Sequence, residues 1–104
     1  MDDFEHRAAA VLEAIGRAID NSGMDCDLEQ KGDGVLEITL ANDSRVIVNR
    51  HIAASEIWVA AKSGGYHFRF DGQAWVNTRD GGELFASLSR YLSEQGGNTV
   101  ALRP

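Results

Sequence analysis

Apolar residues recur along this chain at two different periods, and the change of period marks the change of element. Phe4, Ala8, Val11, Leu12, Ile15 and Ile19 fall three or four positions apart and line one face of an amphipathic helix over residues 3–20. Asp2 stands three residues before Glu5, the spacing of a capping box, and Asn21-Ser22-Gly23 stops the helix. From 24 to 30 the period falls to two, with Asp25, Asp27 and Glu29 on one side and Cys26 and Leu28 on the other. That is an acidic edge strand. Strands over 35–40 and 45–49 follow, separated by turns at 31–34 and 41–44, and residues 50–55 lead into a hairpin over 56–70. Both hairpin arms are rich in β-branched and aromatic residues, and Lys62-Ser63-Gly64-Gly65 supplies the positive-φ positions of a tight reversal. A short strand at 74–77 has apolar residues on both parities, which leaves the facing of Trp75 open. A second helix over 83–95 carries Leu84, Phe85, Leu88, Tyr91 and Leu92 at helical spacing and ends at Gly96-Gly97. The tail Thr99-Val100-Ala101-Leu102 is apolar enough to close a groove.

The order is therefore helix, about six antiparallel strands, helix, over one domain spanning 1–104. Each helix has a single apolar face, so both should pack on one side of the sheet, giving an α+β two-layer sandwich. The parity of the hairpin then has a consequence. If Ile57, Val59 and Ala61 face the helices, Trp58 lies beside Glu56 on the uncovered face, where a rigid tryptophan is a candidate binding anchor. If both faces are covered, Trp58 is core.

Composition narrows the function classes. A chain of 104 residues can bury a core without staples, and its lone Cys26 forms no internal disulfide. No basic leader precedes an apolar run, and no stretch approaches the ~20 apolar residues of a membrane span, so a soluble, cytoplasmic protein is expected. The net charge of −6 is unevenly placed, with −8 over residues 1–43 and +2 over 44–104. An acidic half repels nucleic acid and anionic membranes and attracts cations or basic protein surfaces. Neither nucleic acid nor membrane is an expected partner.

Candidate chemistry is sparse. No nucleophile motif, phosphate loop or clustered metal-ligand spacing occurs, and His6, His51 and His67 are scattered, so binding is expected rather than turnover. The acidic strand either protects a sheet edge or offers a surface to cations or a basic partner. Carboxylates two apart on a strand start about 6.6 Å apart, too far to close a metal cage alone, so a cation site here is shallow, hydrated and suited to hard, oxygen-loving ions such as iron, manganese or calcium rather than zinc.

These pieces together resemble the frataxin family, in its bacterial CyaY-type branch, from about Phe4 to Leu92. The resemblance rests on Asp25-Cys26-Asp27, Gly34-Val35-Leu36 with Ile38-Thr39, Val48-Asn49-Arg50, Ile57-Trp58-Val59-Ala60, Lys62 through Phe68, and Trp75. It implies two terminal helices on a five- to seven-stranded antiparallel sheet. It also implies an iron-binding protein that assists and regulates iron–sulfur cluster assembly by docking on a cysteine desulfurase and the scaffold protein. Iron, ferrous or ferric and weakly held, maps onto Asp20, Asp25, Asp27 and Glu29, with Glu13, Asp3, Asp2 and Glu5 as outliers. The partner surface maps onto Asn49, Trp58 and Lys62, with Arg50 and His51 beside them. A monomer is expected, with iron-driven oligomers and weak ferroxidase activity as further family possibilities. His51 stands where relatives commonly carry glutamine, and with His67, Tyr66 and Cys26 it keeps haem or a softer metal open as an alternative ligand. A second alternative is a regulatory module of the desulfurase whose cation binding is incidental.

Overall fold

The computed structural model describes residues 3–104, so the proposed capping role of Asp2 lies outside the described residues. The elements are α1 (Asp3–Ser22), β1 (Cys26–Gln30), β2 (Val35–Leu40), β3 (Arg45–His51), β4 (Glu56–Ala61), β5 (Gly64–Phe70), β6 (Trp75–Asn77) and α2 (Leu84–Gly96). The six strands form one sheet in chain order, and every neighbouring pair is antiparallel. Both helices cover the same face. Phe4, Ala8, Val11, Ile15 and Ile19 of α1 and Leu84, Leu88 and Leu92 of α2 meet Leu36, Ile38, Val46, Val48, Ile57, Val59 and Phe68 of the sheet. This is the two-layer sandwich that the periodicities predict.

Capping residues fix the second helix. Glu83 is its N-cap, its carboxylate accepting from the Phe85 and Ala86 backbone N–H groups at 2.8 and 3.0 Å, and Gly97 ends it at φ 81. The tail folds back as expected: Ser93 and Ser89 hydroxyls accept from the Val100 and Leu102 N–H groups, and Leu102 is buried. Trp75, undecided by parity, is core, with Phe4 edge-on at 6.0 Å and Phe70 at 5.5 Å.

Element ends differ from the sequence reading: α1 runs on through Asn21 and Ser22 instead of stopping before them, and several strand details change as well. β1 begins at Cys26, because β2 ends at its partner Leu40 and offers Asp25 nothing to pair with. β3 runs on to His51, because Arg50 and His51 pair with Ile57 and Glu56 across a turn that Ser55 closes at φ 54. The β4–β5 reversal is made by Lys62-Ser63 alone, with Gly64 at φ 148 and Gly65 already in the strand. An outside tether holds that reversal: Gln95 of α2 accepts from the Lys62 N–H at 2.8 Å and donates to Ser44 and to the Arg45 carbonyl.

Sidedness predicts an asymmetry. Ile38 is fully buried under the helices and Ile47, on the neighbouring strand and opposite face, is half-buried. Ile38→Ala should cost about 3 kcal/mol in urea unfolding and Ile47→Ala about 1 kcal/mol or less; equal losses would mean that both faces are packed.

Candidate functional site

The uncovered face is laid out by register. Val35, Asn49, Trp58 and His67 lie side by side on β2 to β5, and His51, Glu56 and Arg69 form the next row on β3 to β5. Trp58 is there, as parity requires, but it is half-buried rather than free. An imidazole from each flanking strand lies flat against it: His51 at 3.8 Å between ring centroids and 11° between planes, His67 at 4.3 Å and 7°. The indole N–H donates to Glu56 Oε1 at 2.8 Å. Arg69 donates to Glu56 Oε2 at 2.9 Å, and His67 Nδ1 stands 3.5 Å from Oε1.

Glu56 is thus a nearly buried carboxylate, its side chain 8% exposed, serving as the hub of the face. The Trp58 N–H foremost, then Arg69 and His67, hold its carboxyl below the usual range, against the opposing pull of burial. His51 is fixed a second way, since its Nδ1 accepts from the Ala54 N–H at 3.2 Å and so anchors the turn carrying Ile52. Ile52 is the one large apolar side chain among the described residues that stands well exposed, at 50%.

Of the five candidate partner residues, the structure brings Asn49, His51 and Trp58 together. Lys62 lies at the far end of the hairpin, in the turn. Arg50 goes to the other side: alternation turns it toward the helices, where its stem packs over Gly34 so closely that a Cβ there would fall 2.6 Å from Nε. There it lines a groove of about 580 Å³ between α1 and the β1–β2 edge, with Glu13, Arg17, Asp20, Leu28 and Asp33.

The acidic candidates divide in a similar way. The Cys26 thiol, which packs toward the core, is pushed above its ordinary value by burial first and then by the charges of Asp20, Asp27 and Asp25. Glu29 stands opposite Glu37 across β1–β2, with Lys31 Nζ 3.6 Å from each carboxylate and Arg45 3.3 Å from Glu37. Glu13 pairs with Arg17 at 2.9 Å, and Asp3 faces Arg7 at 3.9 Å, roughly 25 Å along the helix from Asp20. Among the described residues no three His, Cys, Asp or Glu side chains converge as a metal centre. The ridge suits a loosely held, hydrated cation. The candidates for haem or a softer metal are also apart: His51 and His67 lie on opposite sides of Trp58, whereas Tyr66 stacks on Tyr91 at 4.2 Å on the helix side, the side of Cys26.

Sequence reasoning missed the two-histidine stack and the role of Glu56. The signal was present: Glu56 and Trp58 share a face two positions apart, and a two-residue turn at Lys62-Ser63 sets His67 opposite Trp58. Placing the reversal over four residues hid that pairing.

The family model described as a frataxin-like domain matches residues 1–98. The iron-sulfur cluster assembly protein CyaY of Dechloromonas aromatica is 49% identical over 105 residues, spanning 99% of this chain and 100% of the relative. That of Paraburkholderia phymatum is 45% identical over 106 residues, spanning 100% of both. Among solved structures, frataxin from Psychromonas ingrahamii superposes with a TM-score of 0.88 at 27% identity, over 98% of this chain and 96% of that one. Trimeric frataxin from Saccharomyces cerevisiae, complexed with ferrous iron, shares the fold with a TM-score of 0.67 at 18% identity, over 94% of this chain and 88% of that one.

Two outcomes follow from the electrostatics. Cys26 should alkylate with iodoacetamide more slowly at neutral pH than a free thiol, and Asp20→Asn should speed it; an unchanged rate would show that the ridge does not act on the thiol. Glu56 loses its proton more readily folded than unfolded, so its contribution is complete above the ordinary carboxylate range and drains away as pH falls through the lower folded value. Glu56→Gln should cost about 1 kcal/mol near pH 7, and its deficit should shrink as pH falls through and below the ordinary carboxylate range. A deficit constant with pH would mean that the charge contributes nothing.

Proposed function

The chain belongs to the frataxin-like family, whose bacterial members named above are iron–sulfur cluster assembly proteins, and from that membership we propose that it carries iron as cargo to that assembly and regulates it. Asp20, Asp25, Asp27 and Glu29 hold the ion, with Glu13 and Asp3 as outlying carboxylates. The open face around Asn49, His51 and Trp58 docks on a complex of cysteine desulfurase and scaffold in the cytoplasm, with Lys62 contributing from the hairpin turn.

The observation that carries this reading is that Asp20 near the end of α1, and Asp25 and Asp27 at the start of β1, all bear electrostatically on the Cys26 thiol. Three carboxylates at this end of the molecule, none of them in a salt bridge among the described residues, make a negative stretch that either a metal ion or a basic protein patch neutralises. A second reading, a docking module whose cation binding is incidental, is favoured by the absence of convergent ligands among the described residues. The same absence argues against a two-iron ferroxidase centre, which needs paired ions a few ångströms apart.

A two-dimensional amide NMR titration separates the readings. Ferrous iron under anaerobic conditions should perturb residues 20–29 selectively, and the desulfurase should perturb them again together with Asn49 and Trp58. Iron shifts scattered over all carboxylates, with partner shifts confined to the open face, would leave the docking module alone.

A further inference from the structure

Tryptophan on an open sheet usually offers a ring face, yet both faces of Trp58 are already taken. His51 from β3 and His67 from β5 lie within 11° of parallel on either side, at 3.8 and 4.3 Å. The remaining freedom, rotation of the indole in its own plane, is removed by the bond from Nε1 to Glu56, which Arg69 holds in turn. No rotamer change is left to the ring, and only its outer edge, between two imidazole edges, meets a partner. Beside it the His51–Ala54 bond shapes the turn that presents Ile52.

We infer that His51 and His67 are positioning residues for docking: a two-sided imidazole clamp that immobilises Trp58 before the partner arrives. This rests on the reading of the open face as the surface that meets the desulfurase–scaffold complex. The physical basis is preorganisation. A large side chain fixed beforehand surrenders no rotamer freedom on binding, and each such side chain left loose weakens association by about three- to tenfold. The clamp needs flat rings on both sides, not charge and not the Ala54 bond. Phenylalanine should therefore replace either histidine, while asparagine, which supplies an acceptor at the place of Nδ1, should not.

The test has two arms. In the free protein, the Trp58 ring protons should show upfield ring-current shifts that are lost in His51→Asn/His67→Asn and kept in His51→Phe/His67→Phe. In binding to the immobilised desulfurase–scaffold complex, the double asparagine variant should lose about tenfold in affinity and the double phenylalanine variant should recover most of that loss, with melting temperatures recorded for both. Full affinity in the asparagine variant, or equal loss in both variants, overturns the clamp. Trp58→Ala keeps the two proposals distinguishable: if it binds as wild type, the docking reading fails and takes the clamp's role with it. If it weakens binding while the asparagine variant does not, only the clamp fails.

Discussion

Six antiparallel strands in chain order, covered on one side by two helices, leave the molecule with a single structural rule: the parity of a residue decides which layer it belongs to. A one-residue slip in any strand would carry its whole apolar set to the wrong face, so register is held wherever Ile38, Val48, Val59 and Phe68 interlock under the helices. The open face inherits that precision without a core of its own. Trp58 stands between His51 and His67 because Ile57 and Val59, its neighbours in sequence, are locked beneath α1 and α2. The geometry of this face is a by-product of burial on the other.

A sheet face without a covering layer has to settle its own polar groups, and Glu56 shows how. Desolvating a carboxylate is costly unless its charge is matched and its lone pairs are filled. Here an indole N–H and a guanidinium fill them, and the two imidazole stacks, at ~0.5–1.5 kcal/mol each for aromatic pairs, close the site from the sides. The surface ion pairs elsewhere, such as Arg17 with Glu13, are exposed and contribute little beyond local order. The rigid part of the open face is therefore the patch on β3, β4 and β5, not the acidic edge.

Much of this was legible in the residues. Helical period gave both helices and their buried faces, alternation gave β2 in full, and parity offered Trp58 either the uncovered side, where it lies, or the core. What the sequence could not convey was longer in range than its periods. The length of β3 depends on what Glu56 and Ile57 offer it across a turn closed by Ser55, a residue with no strong signal for positive φ. The reversal at Lys62-Ser63 is stabilised from α2 by Gln95, thirty-three positions away. Arg50 was grouped with its neighbours Asn49 and His51, though alternation alone would have sent it to the groove beside Gly34. That error came from reading a contiguous motif as a contiguous surface.

The dispersal of the acidic ridge bears on what kind of binding it supports. A cage that completes the coordination sphere of a hard cation holds it tightly and releases it slowly, whereas carboxylates spaced along a strand and a helix end contact it largely through its water shell. Here Lys31 further tempers Glu29, and Arg17 tempers Glu13, leaving Asp20, Asp25 and Asp27 as the carboxylates without a nearby cation among the ion pairs described. For the carrier role proposed above, weak and exchangeable attachment is the useful kind, because the next site along must be able to win the ion. On the proposed function, the same three charges would also seat against a basic protein surface, so whichever of ion and partner bound first would alter the field the other met, with no movement of the fold required.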